Sequence, residues 1–214
     1  MARFAPPGRD CPLCPRLVGF RATARRAHPG WHNAPVASFG SLSAGLLIVG
    51  LAPGMRGANR TGRPFTGDHA GDLLYATLGR FGFAAGVYGA DPDDRLSLID
   101  CRITNAVRCV PPENKPVAAE VNACRPYLAG EIAAMPNLRV ILALGVLSHN
   151  AVLRGLGLKQ SAAKFTHCAL HEGLRDGVTL ADSYHCSRYN TNTGRLTTAM
   201  FEQVFAAIRA KLDE

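Results

Sequence analysis

Apolar residues fall along this chain in two alternating rhythms. Leu46-Leu47-Ile48-Val49-Gly50 is a continuous apolar run that stops at Ala52-Pro53-Gly54. That pattern predicts a strand buried on both faces and feeding a glycine-rich loop. The loop runs to about Gly67. Over residues 70–81, Leu73, Leu74, Leu78 and Phe81, with the methyl of Thr77, line one helical face. The alternation repeats: strand 99–107, helix 117–135 between Pro116 and Pro136, strand 138–144, helix 146–153, strand 178–184. A closing helix over 195–212 carries the stripe Leu196, Met200, Val204, Ala207, Ile208 and Leu212. Upstream, the basic segment 11–28 reads as helical after Pro15 and ends at Pro29-Gly30. Strand alternating with helix predicts an α/β fold, three-layer α/β/α around a central, mainly parallel four-stranded sheet. In such sheets the ligand sits beyond the C-terminal strand ends. Those ends carry Ala52-Pro53-Gly54, Asn105, Gly145 and His185, which are expected to converge on one cleft.

Length and composition narrow the class. The 214 residues suit one domain spanning 1–214, and 47% hydrophobic against 19% charged residues exclude wholesale disorder. The longest apolar stretch, residues 140–147, is far short of the roughly 20 residues of a membrane span. Residues 1–7 show no apolar signal region, so the expected location is cytoplasmic, with no membrane partner and a monomeric state. The net charge of +8 is uneven: residues 1–80 hold ten Arg against Asp10, Asp68 and Asp72. A basic first third suggests a polyanion partner, although 20 Arg against four Lys also reflects an Arg-rich composition. Arg16, Arg21, Arg25 and Arg26 on the N-terminal helix are candidate phosphate contacts.

Seven cysteines, an odd number with no signal region, argue against a disulfide framework. Cys11 and Cys14 form a C-x2-C pair, and Cys109 and Cys124 follow as C-x14-C. Four thiolates suit either an iron–sulfur cluster or zinc, and the residue types alone do not choose. Cys101 reads as core and Cys168 as structural. The loop from Gly50 to Asp68 is neither a Walker A loop nor a dinucleotide fingerprint. Its glycines permit close backbone approach to a ligand. Its arginines, Arg56, Arg60 and Arg63, can meet phosphates. Phe65 is a large ring in an otherwise polar stretch, suited to a stack or to anchoring the loop.

These segments resemble the uracil-DNA glycosylase superfamily, most closely its family 5, the type B enzymes of archaea and bacteria. Gly50 to Asp68 is similar to that family's first motif, Thr104 to Pro116 to its middle motif and Ser183 to Thr197 to its last. The four cysteines sit where families 4 and 5 hold a [4Fe–4S] cluster, in an N-terminal iron–sulfur-ligating segment. The resemblance spans roughly residues 11–200. It implies a monofunctional DNA repair glycosylase that hydrolyses the N-glycosidic bond of uracil and other deaminated bases such as hypoxanthine. The base is flipped from single- or double-stranded DNA, and an abasic site remains.

By that resemblance Phe65 stacks on the base, with Gly50 and Ala52 lining its pocket, and Asn105 reads its edge. His185 donates to the leaving base. Other families place Asp, Asn or Glu at the position of Ala52, as family 5 does not. Asp68 is therefore the candidate for positioning water, with Asp72 a competitor better suited to a helix N-terminus. Arg60 and Arg63 are candidate DNA contacts, as are Arg188, Tyr189 and Asn190, which enter or flank the duplex. Cys186 replaces the Pro that many members carry after the histidine, leaving a freer loop with an exposed thiol. Two rivals stand beside this expectation: a non-catalytic nucleic-acid-binding or damage-sensing protein of the same fold, and a zinc protein using the same thiolates.

Overall fold

The computed structural model describes residues 4–175 and 177–214. Residues 1–3, part of the segment expected to lack a signal sequence, lie outside them. In chain order the elements are α1 (Pro15–Ala27), β1 (Phe39–Gly40), β2 (Leu46–Gly50), α2 (Ala58–Thr61), α3 (His69–Arg80), β3 (Ala84–Ala85) and β4 (Ser97–Leu98). Then come β5 (Cys101–Asn105), α4 (Ala118–Ala133), β6 (Val140–Leu144), α5 (Val146–Gly155), β7 (Leu170–Arg175), β8 (Val178–Ser183), α6 (Arg188–Asn192) and α7 (Thr198–Asp213).

The main sheet has the order β1-β5-β2-β6-β8-β7. Its four inner strands are the expected parallel set, and every residue of each is buried. Two antiparallel edge strands extend it. Neither was expected, because β1 has two residues and β7 is mostly exposed. Along β2, Leu46 and Ile48 face α3 and α7, while Leu47 and Val49 face α4 and α5. This period-two alternation makes the two cores of a three-layer α/β/α fold. The chain leaves β2 toward one face and β5 and β6 toward the other, which opens a crevice at their C-terminal ends. Among the described residues no helix is long and apolar enough to cross a membrane.

Two buried charged networks support those ends. Glu131 on α4 pairs with Arg102 at 2.6 Å and Arg108 at 2.5 Å, and Thr104 donates to it. Asp182 on β8 meets His149 of α5 at 2.7 Å and His171 of β7 at 2.8 Å, and accepts from the Thr166 amide. Helix α1 corrects one expectation, at Arg21. Three of its four candidate arginines have partners within the chain: exposed Arg16 pairs with Glu120, half-buried Arg25 with Asp10, and buried Arg21 donates to the Cys11 carbonyl and toward the Cys109 sulfur. They fasten the N-terminal segment to the body, so of these four only Arg26 remains exposed without a carboxylate partner among the described residues.

Candidate active site

The register of the sheet builds the floor of the site. Gly50 and Asn105 are direct partners across β2 and β5. Pairing continues past the strands, with Ala106 and Val107 amides donating to the Gly50 and Leu51 carbonyls. Asn105 is thereby held rigidly, buried, with its carboxamide facing a cavity of about 670 Å³. Among the described residues that carboxamide has no protein hydrogen-bond partner. Leu51, Ala52, Pro53, Phe65, Asp68 and His185 are further parts of the cavity lining. A Cβ on Gly50 would fall 2.4 Å from the Asn105 Oδ1 and 2.7 Å from the Phe65 ring. Glycine is required there because two side chains close over the backbone.

Phe65 occupies the left-handed region at φ 53°, a conformation that costs energy and persists only where surroundings enforce it. They do so here. Tyr75 donates to the Pro64 carbonyl at 2.7 Å, and Tyr88 donates to the Phe65 carbonyl. Arg63 packs beneath Tyr75, Tyr88 and Phe39 and pairs in a fork with Asp94 at 2.7 Å. This corrects the expectation that Arg63 contacts DNA: it is buried and its charge is spent on Asp94. That guanidinium holds the Asp94 carboxyl well below the usual range. Phe65 itself both joins the core and lines the cavity, so stacking and anchoring coincide in one ring.

His185 faces Phe65 across the cavity, ring centroids 5.9 Å apart. Burial lowers its pKa to about 4, so the imidazole is neutral at physiological pH. Its Nδ1 is buried without a partner among the described residues. The Asn190 amide donates to the His185 carbonyl, and Ser187 caps α6. Asn190 is therefore an internal brace, whereas Arg188 and Tyr189 are exposed, Tyr189 at 72%. Cys186 is fully buried, and burial pushes its thiol up to about 12. The expected exposed thiol is thus an inert packing group.

Asp68 is the N-cap of α3, accepting from the Gly71 amide. It also lies under Gly54 and Gly57 and lines the cavity. Burial raises its pKa, opposed by the Gly71 and Ala70 amides. Asp72 is exposed and is not among the cavity-lining residues. The helical pattern in the sequence begins only at residue 70, which conceals the capping role. It also conceals His69, whose Nε2 meets Thr191 Oγ1 at 3.0 Å and clasps the two walls at the mouth. The only hint is its place between Asp68 and the first helical turn.

Cys11, Cys14, Cys109 and Cys124 gather around Leu17 and Arg21, about 100 residues of chain closing into one small cavity. Burial pushes the Cys14 and Cys109 thiols up to about 11, so bare thiolates are disfavoured without a compensating cation. Both an iron–sulfur cluster and a zinc ion would supply that cation. Among the described residues only His149, His171 and Asp182 bring three donor atoms within 4.8 Å of one another.

A mainly parallel sheet with a cavity at its strand ends, lined by an aromatic ring, a carboxamide and a neutral histidine, makes an α/β protein suited to a flat, hydrogen-bonding ligand. The chain belongs to the uracil DNA glycosylase superfamily, whose family model matches residues 37–209. It is 46% identical to a type-5 uracil-DNA glycosylase of Thermus thermophilus over 91% of this chain and 90% of that one. It is 44% identical to the type-5 enzyme of Mycobacterium leprae over 91% and 88%. A type-4 uracil-DNA glycosylase of Pyrobaculum aerophilum is 34% identical over 83% and 78%.

Proposed function

We propose that this chain hydrolyses the bond between uracil and deoxyribose in DNA, releasing the free base and leaving the backbone uncut. The observation that carries this is the unpartnered Asn105 carboxamide at the cavity floor between Phe65 and His185. A carboxamide offers one acceptor and two donors, which matches the N3–H and O4 of uracil. The base is swung out of the helix and stacks on Phe65. As the C1′–N1 bond breaks, the electron pair moves into the base, and neutral His185 donates a hydrogen bond to the oxygen where that charge collects. Asp68 orients the water that adds to C1′ and accepts its proton, a role suited to a buried carboxylate of raised pKa. Arg60 and Arg188 hold phosphates outside, and Tyr189 fills the space the base leaves.

The four cysteines fit a [4Fe–4S] cluster, which would tie the N-terminal segment to the 109–124 region as a structural brace. Ala52 brings no hydrogen-bonding group to the wall, and the cavity leaves room for hypoxanthine as well. The enzyme works as a single chain within the cell.

Base release from uracil-containing duplex, followed by alkaline cleavage, tests the assignment. His185→Ala and Asn105→Ala are each expected to lose about 100-fold or more in rate. A wild-type protein inert on every deaminated base, or variants as fast as it, overturns it. Because the His185 pKa lies near 4, the rate is expected to show no step near pH 6.5. A step there that vanishes in His185→Gln contradicts the neutral-imidazole mechanism.

A further inference from the structure

A second groove opens beside the base cavity. Its lining comprises His28, Trp31, Met55, Arg56, Arg60 and Gly67, enclosing about 560 Å³. Arg56 and Gly67 belong to both grooves, so the two are continuous around the loop that follows β2. Its lining contains two guanidinium groups and no carboxylate, and among the described residues neither Arg56 nor Arg60 pairs with an acid. Trp31 is partly exposed and is backed by His28, their rings 3.8 Å apart and nearly parallel.

This platform is fixed to the base-handling loop. The His32 and Asn33 amides donate to the Arg60 and Asn59 carbonyls. Asn59 donates to Asn33 and to the Met55 sulfur. Arg60 donates to the Arg56 carbonyl, and its guanidinium lies against Gly67, where a Cβ would come within 2.5 Å. A flat, backed indole beside two unpaired cations, rigidly joined to a base cavity, has the chemistry of a nucleotide seat: charge for the phosphate, a ring for the base or sugar.

We propose that this groove holds the nucleotide adjoining the flipped one on the same strand, its phosphate on Arg56 and Arg60 and its base or sugar on Trp31. Resting on the glycosylase assignment above, the seat makes capture of the target depend on one flank of the strand. The seat lies on one side of the cavity, so only one direction of the strand reaches it.

Trp31 is the sole tryptophan, so its fluorescence reports the groove without any turnover. The probes are short oligodeoxynucleotides with one 2′-fluorinated deoxyuridine, whose fluorine disfavours the sugar cation and blocks release. One carries two thymidines on the 5′ side only and one on the 3′ side only, with free deoxyuridine as control. Quenching by just one of the one-sided probes, and none by the nucleoside, is the expected result. Equal responses to both probes, or none while binding is seen by another method, overturn the seat. Trp31→Ala is expected to raise KM about tenfold on substrates carrying that flank while kcat holds, and Trp31→Phe to restore most of it. Arg56→Ala with Arg60→Ala is expected to lower the slope of log affinity against log salt by about 0.7 per single-strand phosphate that is no longer neutralised. An unchanged slope also overturns the seat. Wild-type inertness in base release would sink the glycosylase assignment alone, because the fluorescence result does not depend on cleavage.

Discussion

The two walls of the base cavity are held in contrasting ways. The Phe65 wall is locked from beneath: a strained backbone turn rests on Tyr75, Tyr88 and the buried Arg63–Asp94 fork. The His185 wall follows the end of β8 and is held by its neighbours: the Tyr184 amide donates to His167, whose ring stacks on Tyr184, Cys186 is buried, and Asn190 of a short capped helix bearing an exposed tyrosine donates to the His185 carbonyl. Further support lies one step back, in the Asp182 contacts to His149 and His171. One wall is preset to receive a flat ring. The other ends in the exposed Arg188 and Tyr189 and is joined to the first through His69 and Thr191.

The largest effect expected from this contrast is in stability. Asp94→Asn leaves the Arg63 guanidinium buried without its counter-charge, a change that costs about 3–5 kcal/mol in comparable buried pairs. Urea denaturation reads it, and a midpoint within error of wild type would show that the Phe65 wall is not locked as described. Base release should fall as well, since the Phe65 turn loses its support.

The second effect is in pH. The native pKa of Asp94 is depressed by Arg63. Its contribution is therefore full above the unfolded value and is lost as pH falls through the native one. For His149, burial opposes the charged form, but the hydrogen bond and charge of Asp182 outweigh it and raise the pKa. Its contribution is full below the unfolded value, near 6.5, and is lost as pH rises through the native one. Unfolding free energies measured from about pH 3 to 9 should therefore show Asp94→Asn flattening the acid limb and His149→Gln the alkaline limb. Both variants altering the same limb would erase the distinction.

The smallest effect is expected at Asn190. Asn190→Ala removes one hydrogen bond to the His185 carbonyl, about 0.5–1.5 kcal/mol. Its loss should appear as a few-fold drop in kcat with a urea-midpoint shift well below that of Asp94→Asn. A loss of stability matching that of Asp94→Asn would make the two walls equally rigid.

The legibility of these features in the sequence follows their physics. The inner strands and covering helices are apolar at the spacing that burial dictates, so their order and limits are read to within a few residues. Edge strands β1 and β7 bury little and leave no such imprint. Asn105, His185 and Phe65 stand at strand ends or in the glycine-rich loop, where position places them at the cleft and the resemblance to the family's motifs supplies their roles. Arg63 misleads because its partner Asp94 is 31 residues away in an irregular stretch, and a loop arginine looks the same whether it meets phosphate or a buried carboxylate. The His149, His171 and Asp182 group draws on three elements with no recurring interval. Asp68 stands out for its charge, while its capping role is hidden because the apolar pattern of α3 begins two residues after it.

Gly50 sets a rule for how this cavity can change over evolution. Its floor is main chain of the sheet, and Asn105 and Phe65 already touch where any side chain would begin. A strand advances by about 3.3 Å per residue and flips its side chains with each step. Depth therefore cannot be altered by small increments without re-registering β2 against β5. Any broadening of the substrate range must come laterally, at positions such as Ala52, where one methyl at a time can be added or removed.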